Sequence, residues 1–174
     1  MAHESPTCQR ALVLGVGNEY RGDDAVGILL CRLLAPQAPP HVAVVEHNGD
    51  GTALLEAWQG AELVIVLDAV QSGAPAGTIF RCDAALQAIP AQLFHYSTHA
   101  FSLAGAIELG RALHRLPRHL IVYGIEGVNF TPGAPLSAAV AQAMPGVLAQ
   151  VMRDLHLFAP AHQPEIPALQ PLTF

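Results

Sequence analysis

The chain contains no lysine: all eight of its basic residues are arginines. That absence removes a Walker A phosphate loop, a Schiff-base or pyridoxal enzyme, and any lysine general base. Eight scattered arginines, against fourteen acids and a formal charge of −6, also argue against a surface that tracks nucleic-acid phosphates. Charged residues make up only 13% of the chain and hydrophobic ones 52%, which speaks against disorder for most of it. No apolar run approaches the roughly 18 residues of a membrane span. The start, MAHESPTCQR, has neither the basic opening nor the apolar stretch of a signal peptide, so the expected address is the cytoplasm. Cysteines are few. Cys8, Cys31 and Cys82 lie far apart and form no CxxC, so they read as free thiols, two of them packed as small hydrophobes.

What is present is organised around Ala11 to Leu34. A short apolar run, Ala11 to Leu14, leads into the glycine-bracketed turn Gly15-Val16-Gly17-Asn18. The acidic pair Asp23-Asp24 follows, and then a stretch from Ala25 to Leu34 that is apolar on most of its circumference. This pattern predicts strand, tight loop and helix. Gly15 and Gly17 suit positive φ or close backbone approach, and Asp23 or Asp24 suits the helix N-terminus as a cap. Such an opening is the first half of a βαβ unit, whose ligand sites lie at the carboxyl ends of the strands.

Further along, His41 to Glu46 reads as a strand and Asn48-Gly49-Asp50-Gly51 as a turn, with Thr52 starting a helix that runs to about Gln59. Leu63 to Leu67 is a continuous apolar run, as expected of a strand buried on both faces of a parallel sheet, and it ends in Asp68. Thr78 to Cys82 alternates as a short edge strand, the best candidate for an antiparallel one. Ser97 or Thr98 caps a helix from about Ala100 to His114, in which Gly105 and Gly110 suit close packing on the sheet. His119 to Ile125 is another buried strand. Pro135-Leu136 opens a last helix to about Leu157, with Pro145-Gly146 expected to kink or divide it. The expected fold is a single α/β domain over 1–158: an open twisted sheet of about five mostly parallel strands with helices on both faces. Residues 159–174 read as a Pro-rich extended or disordered tail.

Asp24 after the first strand, Asp68 after the buried strand and His99 at a helix start are each capable of holding a metal. Parallel strands bring the two acids to one sheet edge, where they repel unless a cation compensates. With an imidazole the set suits a borderline divalent ion such as nickel or zinc. An aspartate after a buried strand is equally suited to capping a turn, and spacing alone does not separate the two readings.

The string Gly15-Val16-Gly17-Asn18, five residues, Asp23-Asp24 with Gly27, together with Leu67-Asp68-Ala69 and Ser97-Thr98-His99, resembles the endopeptidases that mature nickel–iron hydrogenases. The likeness covers about residues 11–155. It implies an enzyme, often classed with aspartic endopeptidases, that removes a C-terminal extension from the hydrogenase large-subunit precursor once nickel is installed. It implies no permanent cofactor, since nickel is supplied by the substrate, although other divalent ions can occupy the site in vitro. Asp24 (where many relatives carry glutamate), Asp68 and His99 take the catalytic and metal-recognising positions. Gly15, Gly17, Asn18, Gly49 and Gly51 are expected to bind substrate or shape the loops. The protein is expected to act as a monomer, without nucleic acid or membrane. Neither a GxSxG serine nor a well-placed cysteine offers a nucleophile.

Two other readings stand beside this one. A Rossmann-type dinucleotide-binding oxidoreductase would use Gly15-Val16-Gly17 and Glu46, but Tyr20 occupies the third glycine's place and two acids would face the pyrophosphate. A non-catalytic nickel-site escort of the large subunit would use the same three ligands. Glu19, Glu46 and Glu126 are secondary candidates for the cleft. His95 with His99 lacks the glutamate of a zincin, and the remaining histidines have no evident partners.

Overall fold

A computed structural model describes residues 11–90 and 103–158. Five strands form one sheet: β1 (Ala11–Val16), β2 (Val42–His47), β3 (Leu63–Val70), β4 (Ile79–Asp83) and β5 (His119–Glu126), in the order β2-β1-β3-β5-β4. Neighbours are parallel except β4 on β5, which is antiparallel. The helices are α1 (Val26–Leu34), α2 (Gly51–Ala57), α3 (Leu103–Ala112) and α4 (Ala138–Leu157). The open α/β sheet expected from the alternating pattern is thus present, with its antiparallel strand at the edge.

Period-two alternation sorts the strands' side chains into two cores. Ala11, Val13, Ile65, Leu67, Ile121 and Tyr123 point to one face, against Val26, Leu30 and Leu34 of α1 and Val147 and Val151 of α4. Leu12, Leu14, Val64, Val66, Leu120 and Val122 point to the other, against Leu54 and Leu55 of α2 and Leu103 and Ile107 of α3. Only strands covered on both sides can be apolar at every position, which is why β1 and β3 carry unbroken hydrophobic runs.

Helix boundaries depart from the sequence reading in informative ways. Neither Asp23 nor Asp24 caps a helix: a 3₁₀ turn, Gly22–Ala25, precedes α1, and its start carries no side-chain cap bond. α2 is capped by Asp50 rather than started at Thr52, because the Asp50 carboxylate accepts from the amides of Thr52 (3.0 Å) and Ala53 (2.9 Å). α4 begins three residues after Pro135 and runs unbroken through Pro145, so the expected division does not occur. Burial of its apolar stripe from Val140 to Leu155 outweighs the lost amide bond. Gly110 packs on side chains of Leu116 and Leu55, not on the sheet. The expected start of α3 and the tail 159–174 lie outside the described residues.

A polar contact ties α4 to the sheet's far edge. Arg81 of β4 forks onto Asp154 with two 3.0 Å bonds, and the Tyr123 hydroxyl donates to the same carboxylate at 2.6 Å. Asp154 is 6% exposed, so removing it strands a buried phenol. Asp154→Ala is expected to cost about 3 kcal/mol and to lower the melting temperature by roughly 6–12 °C, as read by thermal denaturation. A shift under about 2 °C would show that the contact is idle.

Candidate functional site

The site begins with three glycines. β1 and β3 are adjacent and parallel, so their carboxyl ends open on one edge, and α1 starts there. A Cβ at Gly27 would sit 2.3 Å from the carbonyl oxygens of both Val16 and Leu67, and one at Gly15 would sit 2.2 Å from that of Gly27. Gly17 has φ 138°, and a Cβ there would come within 1.9 Å of the Asp24 carbonyl. Only glycine allows this approach. The glycine loop is therefore a packing device that presses the start of α1 onto the strand ends.

That pressure delivers Asp24 to Asp68. Both are half-buried. Burial pushes the Asp68 carboxyl well above the usual carboxylate range, the charge of Asp24 pushes it further, and the Ala69 N–H donated at 2.8 Å opposes both only in part. Strand alternation places Asp68 with Val64 and Val66, on the face covered by α2 and α3. His99, the third residue of the expected set, lies outside the described residues. Among the described residues, no group of three His, Cys, Asp or Glu is arranged to hold a metal.

Asp23 turns the other way. It is fully buried, and its carboxylate accepts from the amides of Ser137 (2.7 Å), Val128 (2.8 Å) and Asn129 (2.9 Å). Burial by itself would raise its pKa, but these donors together hold it below the ordinary value. Successive residues of a 3₁₀ turn point about 120° apart, so one acid of the pair reaches the cleft edge and the other is taken up by the loop after β5.

The remaining candidates shape loops. Asn18 accepts the Tyr20 amide on its side chain and the Arg21 amide on its carbonyl. Gly49, at φ 85°, donates its N–H to His47 Nδ1 at 3.0 Å, and Gly51 is the buried first residue of α2. His47 therefore has a partner that the sequence did not reveal, as does His119, whose ring packs on Phe158. Burial lowers the His47 pKa, with the Asp50 charge opposing. Glu19 and Glu46 are both held by Arg32, at 2.9 and 2.8 Å, in an exposed network worth little stability. Glu126 is buried and bonded to Ser72 and Gly73. Cys31 and Cys82 are buried, and burial (helped by the Glu46 charge, against a Gly15 backbone bond) pushes the Cys31 thiol up to about 12, so neither is presented as a nucleophile.

A family model of hydrogenase maturation proteases, HycI, matches residues 29–154. The chain belongs to the hydrogenase maturation protease family and is a peptidase. It is 27% identical over 151 residues to the hydrogenase 2 maturation protease of Escherichia coli K12, covering 84% of this chain and 90% of that one. It is 28% identical over 152 residues to the hydrogenase expression/formation protein HupD of Rhodobacter capsulatus, covering 84% and 71%. The hydrogenase maturating endopeptidase HybD from E. coli superposes with a TM-score of 0.70 at 26% identity, covering 85% of this chain and 93% of that one.

The two aspartates should titrate stability in opposite directions. Asp23 has a folded-state pKa below its unfolded value near 3.9. Its contribution is present above about pH 4 and is lost as pH falls through the lower folded value. Asp23→Asn should therefore cost about 3 kcal/mol at pH 7, with the gap to wild type closing below about pH 4. Asp68 has a raised folded value, so its charge penalises the fold increasingly as pH climbs above about 4. Asp68→Asn should melt above wild type at pH 7, and the gain should vanish in acid. Melting curves from pH 3 to 8 check both; a lower melting point for Asp68→Asn at pH 7 would contradict the assigned strain.

Proposed function

We propose that this protein removes the C-terminal extension of a nickel–iron hydrogenase large-subunit precursor after nickel insertion, and that Asp24, Asp68 and His99 recognise the nickel the precursor carries. The observation that carries the reading is the pairing of Asp24 and Asp68 at a shared sheet edge, where the Asp24 charge raises the cost of charging Asp68. A divalent ion brought to that edge relieves the repulsion, so the pair is built to prefer a partner already holding a metal. Family membership gives the reaction class, and the E. coli relative is named for hydrogenase 2.

The chemical logic is recognition followed by positioning. The precursor's nickel stays partly liganded by its own subunit, while the carboxylates engage it from the open side. The adjoining peptide is then held near the metal and a polarised water, and placement supplies much of the rate. An apo precursor offers no such anchor, which makes cleavage a checkpoint on metal loading. The protein acts as a monomer in the cytoplasm and keeps no metal of its own. Among the described residues, no helix is long and apolar enough to cross a membrane.

The test is incubation with apo and nickel-filled precursor side by side, read by mass spectrometry. Loss of a C-terminal peptide from the nickel-filled form alone is expected. Asp24→Ala, Asp68→Ala and His99→Ala are each expected to lower trimming by at least about 100-fold while leaving the fold intact. Equal cutting of the apo form would remove nickel recognition from the reading. An intact precursor bound to the protein would make it an escort.

A further inference from the structure

Glu126 ends β5 and is 3% exposed, yet its carboxylate has no catalytic assignment. Its Oε1 accepts from the amides of Ser72 and Gly73, both at 2.9 Å. Its Oε2 accepts from the Ser72 amide at 3.0 Å and the Ser72 hydroxyl at 2.7 Å. The backbone repeats the grip: the Gly77 amide donates to the Glu126 carbonyl at 2.8 Å, and the Glu126 amide donates to the Thr78 carbonyl at 2.9 Å. One residue thus holds both ends of the 71–77 loop.

That loop is the direct continuation of β3 beyond Asp68. The β3–β5 ladder runs Asp68 against Gly124, Ala69 against Ile125 and Val70 against Glu126, where it stops. Strand ends fray when nothing beyond the last rung is tied down, and Asp68 stands only two rungs inside that end. Charge-assisted bonds from two consecutive amides and a hydroxyl extend the order past the ladder.

We propose that Glu126 is a positioning residue for Asp68: by clamping Ser72 and Gly73 it locks the end of β3 and fixes where the Asp68 carboxylate stands in the cleft. This deepens the functional reading above and rests on it. Glu126 touches no reacting atom in this scheme. Its effect is on placement, to which rates are steeply sensitive.

The experiment compares Glu126→Gln, Glu126→Ala and Ser72→Ala in the full chain, with nickel-filled precursor as substrate. Glutamine keeps the size but removes the negative charge and puts an NH2, which cannot accept, in place of one carboxylate oxygen. Alanine removes every bond, and Ser72→Ala removes only the hydroxyl's. The expected order is a kcat loss of about two- to threefold for Ser72→Ala, about tenfold for Glu126→Gln and more for Glu126→Ala, with KM within about twofold of wild type. Hydrogen exchange should accelerate at the amides of Ser72, Gly73 and Asp68 to Val70 and stay slow at Val64 to Val66. Wild-type kcat per folded molecule in Glu126→Gln, or a change in KM alone, overturns the proposal. If Glu126→Ala does not fold, the two milder variants decide the matter. If wild type does not trim the precursor, it is the functional reading that fails, and the exchange rates at Asp68 to Val70 still decide whether Glu126 holds that strand end.

Discussion

Three amides converge on one buried carboxylate, and the geometry of the cleft follows from that convergence. The amides of Val128, Asn129 and Ser137 all donate to the Asp23 carboxylate. Those donors lie more than a hundred residues away along the chain, in the connection from β5 to α4. The bond set joins the loop after the first strand to the loop after the last parallel one. Asn129 returns the contact by accepting the Asp23 amide at 2.8 Å, and Gly22 packs so closely on the Asn129 carbonyl that a Cβ would come within 2.3 Å of it. The neighbouring Asp24 inherits its place from this staple.

Two buried carboxylates, Asp23 and Glu126, therefore bind loops, while Asp68 is left in a site that opposes its charge. A fold that satisfies two acids with backbone amides has the means to satisfy a third. Among the described residues, Asp68 meets one amide and an adjacent negative charge instead.

Much of the fold was legible because burial on both sides writes itself into β1, β3 and β5 as unbroken apolar runs, and the weaker alternation of 78–82 marked the edge strand. Asp24 and Asp68 were legible as acids that follow apolar strand runs, although β3 continues two residues past Asp68 because its ladder with β5 extends to Val70. The division of labour inside Asp23-Asp24 was not legible, since either acid suits a helix start and the deciding partners are distant in sequence. Glu126 failed to stand out for the same reason: an acid ending a strand looks alike whether it faces a cleft or two loop amides. Pro145 misled because local propensity speaks for a break, while a long buried stripe on both sides of it overrides that preference.

The buried thiol of Cys31 limits which atoms the cleft could offer a metal. A sulfur held protonated inside α1 beside the Val45 carbonyl is no ligand at neutral pH, and Cys82 is equally enclosed. The donors offered at the sheet edge by Asp24 and Asp68 are hard oxygens, which hold nickel less firmly than the thiolates of a cysteine cage. Among the described residues the cysteine sulfurs are shut away, so a metal meeting this edge would find oxygen donors and no thiolate.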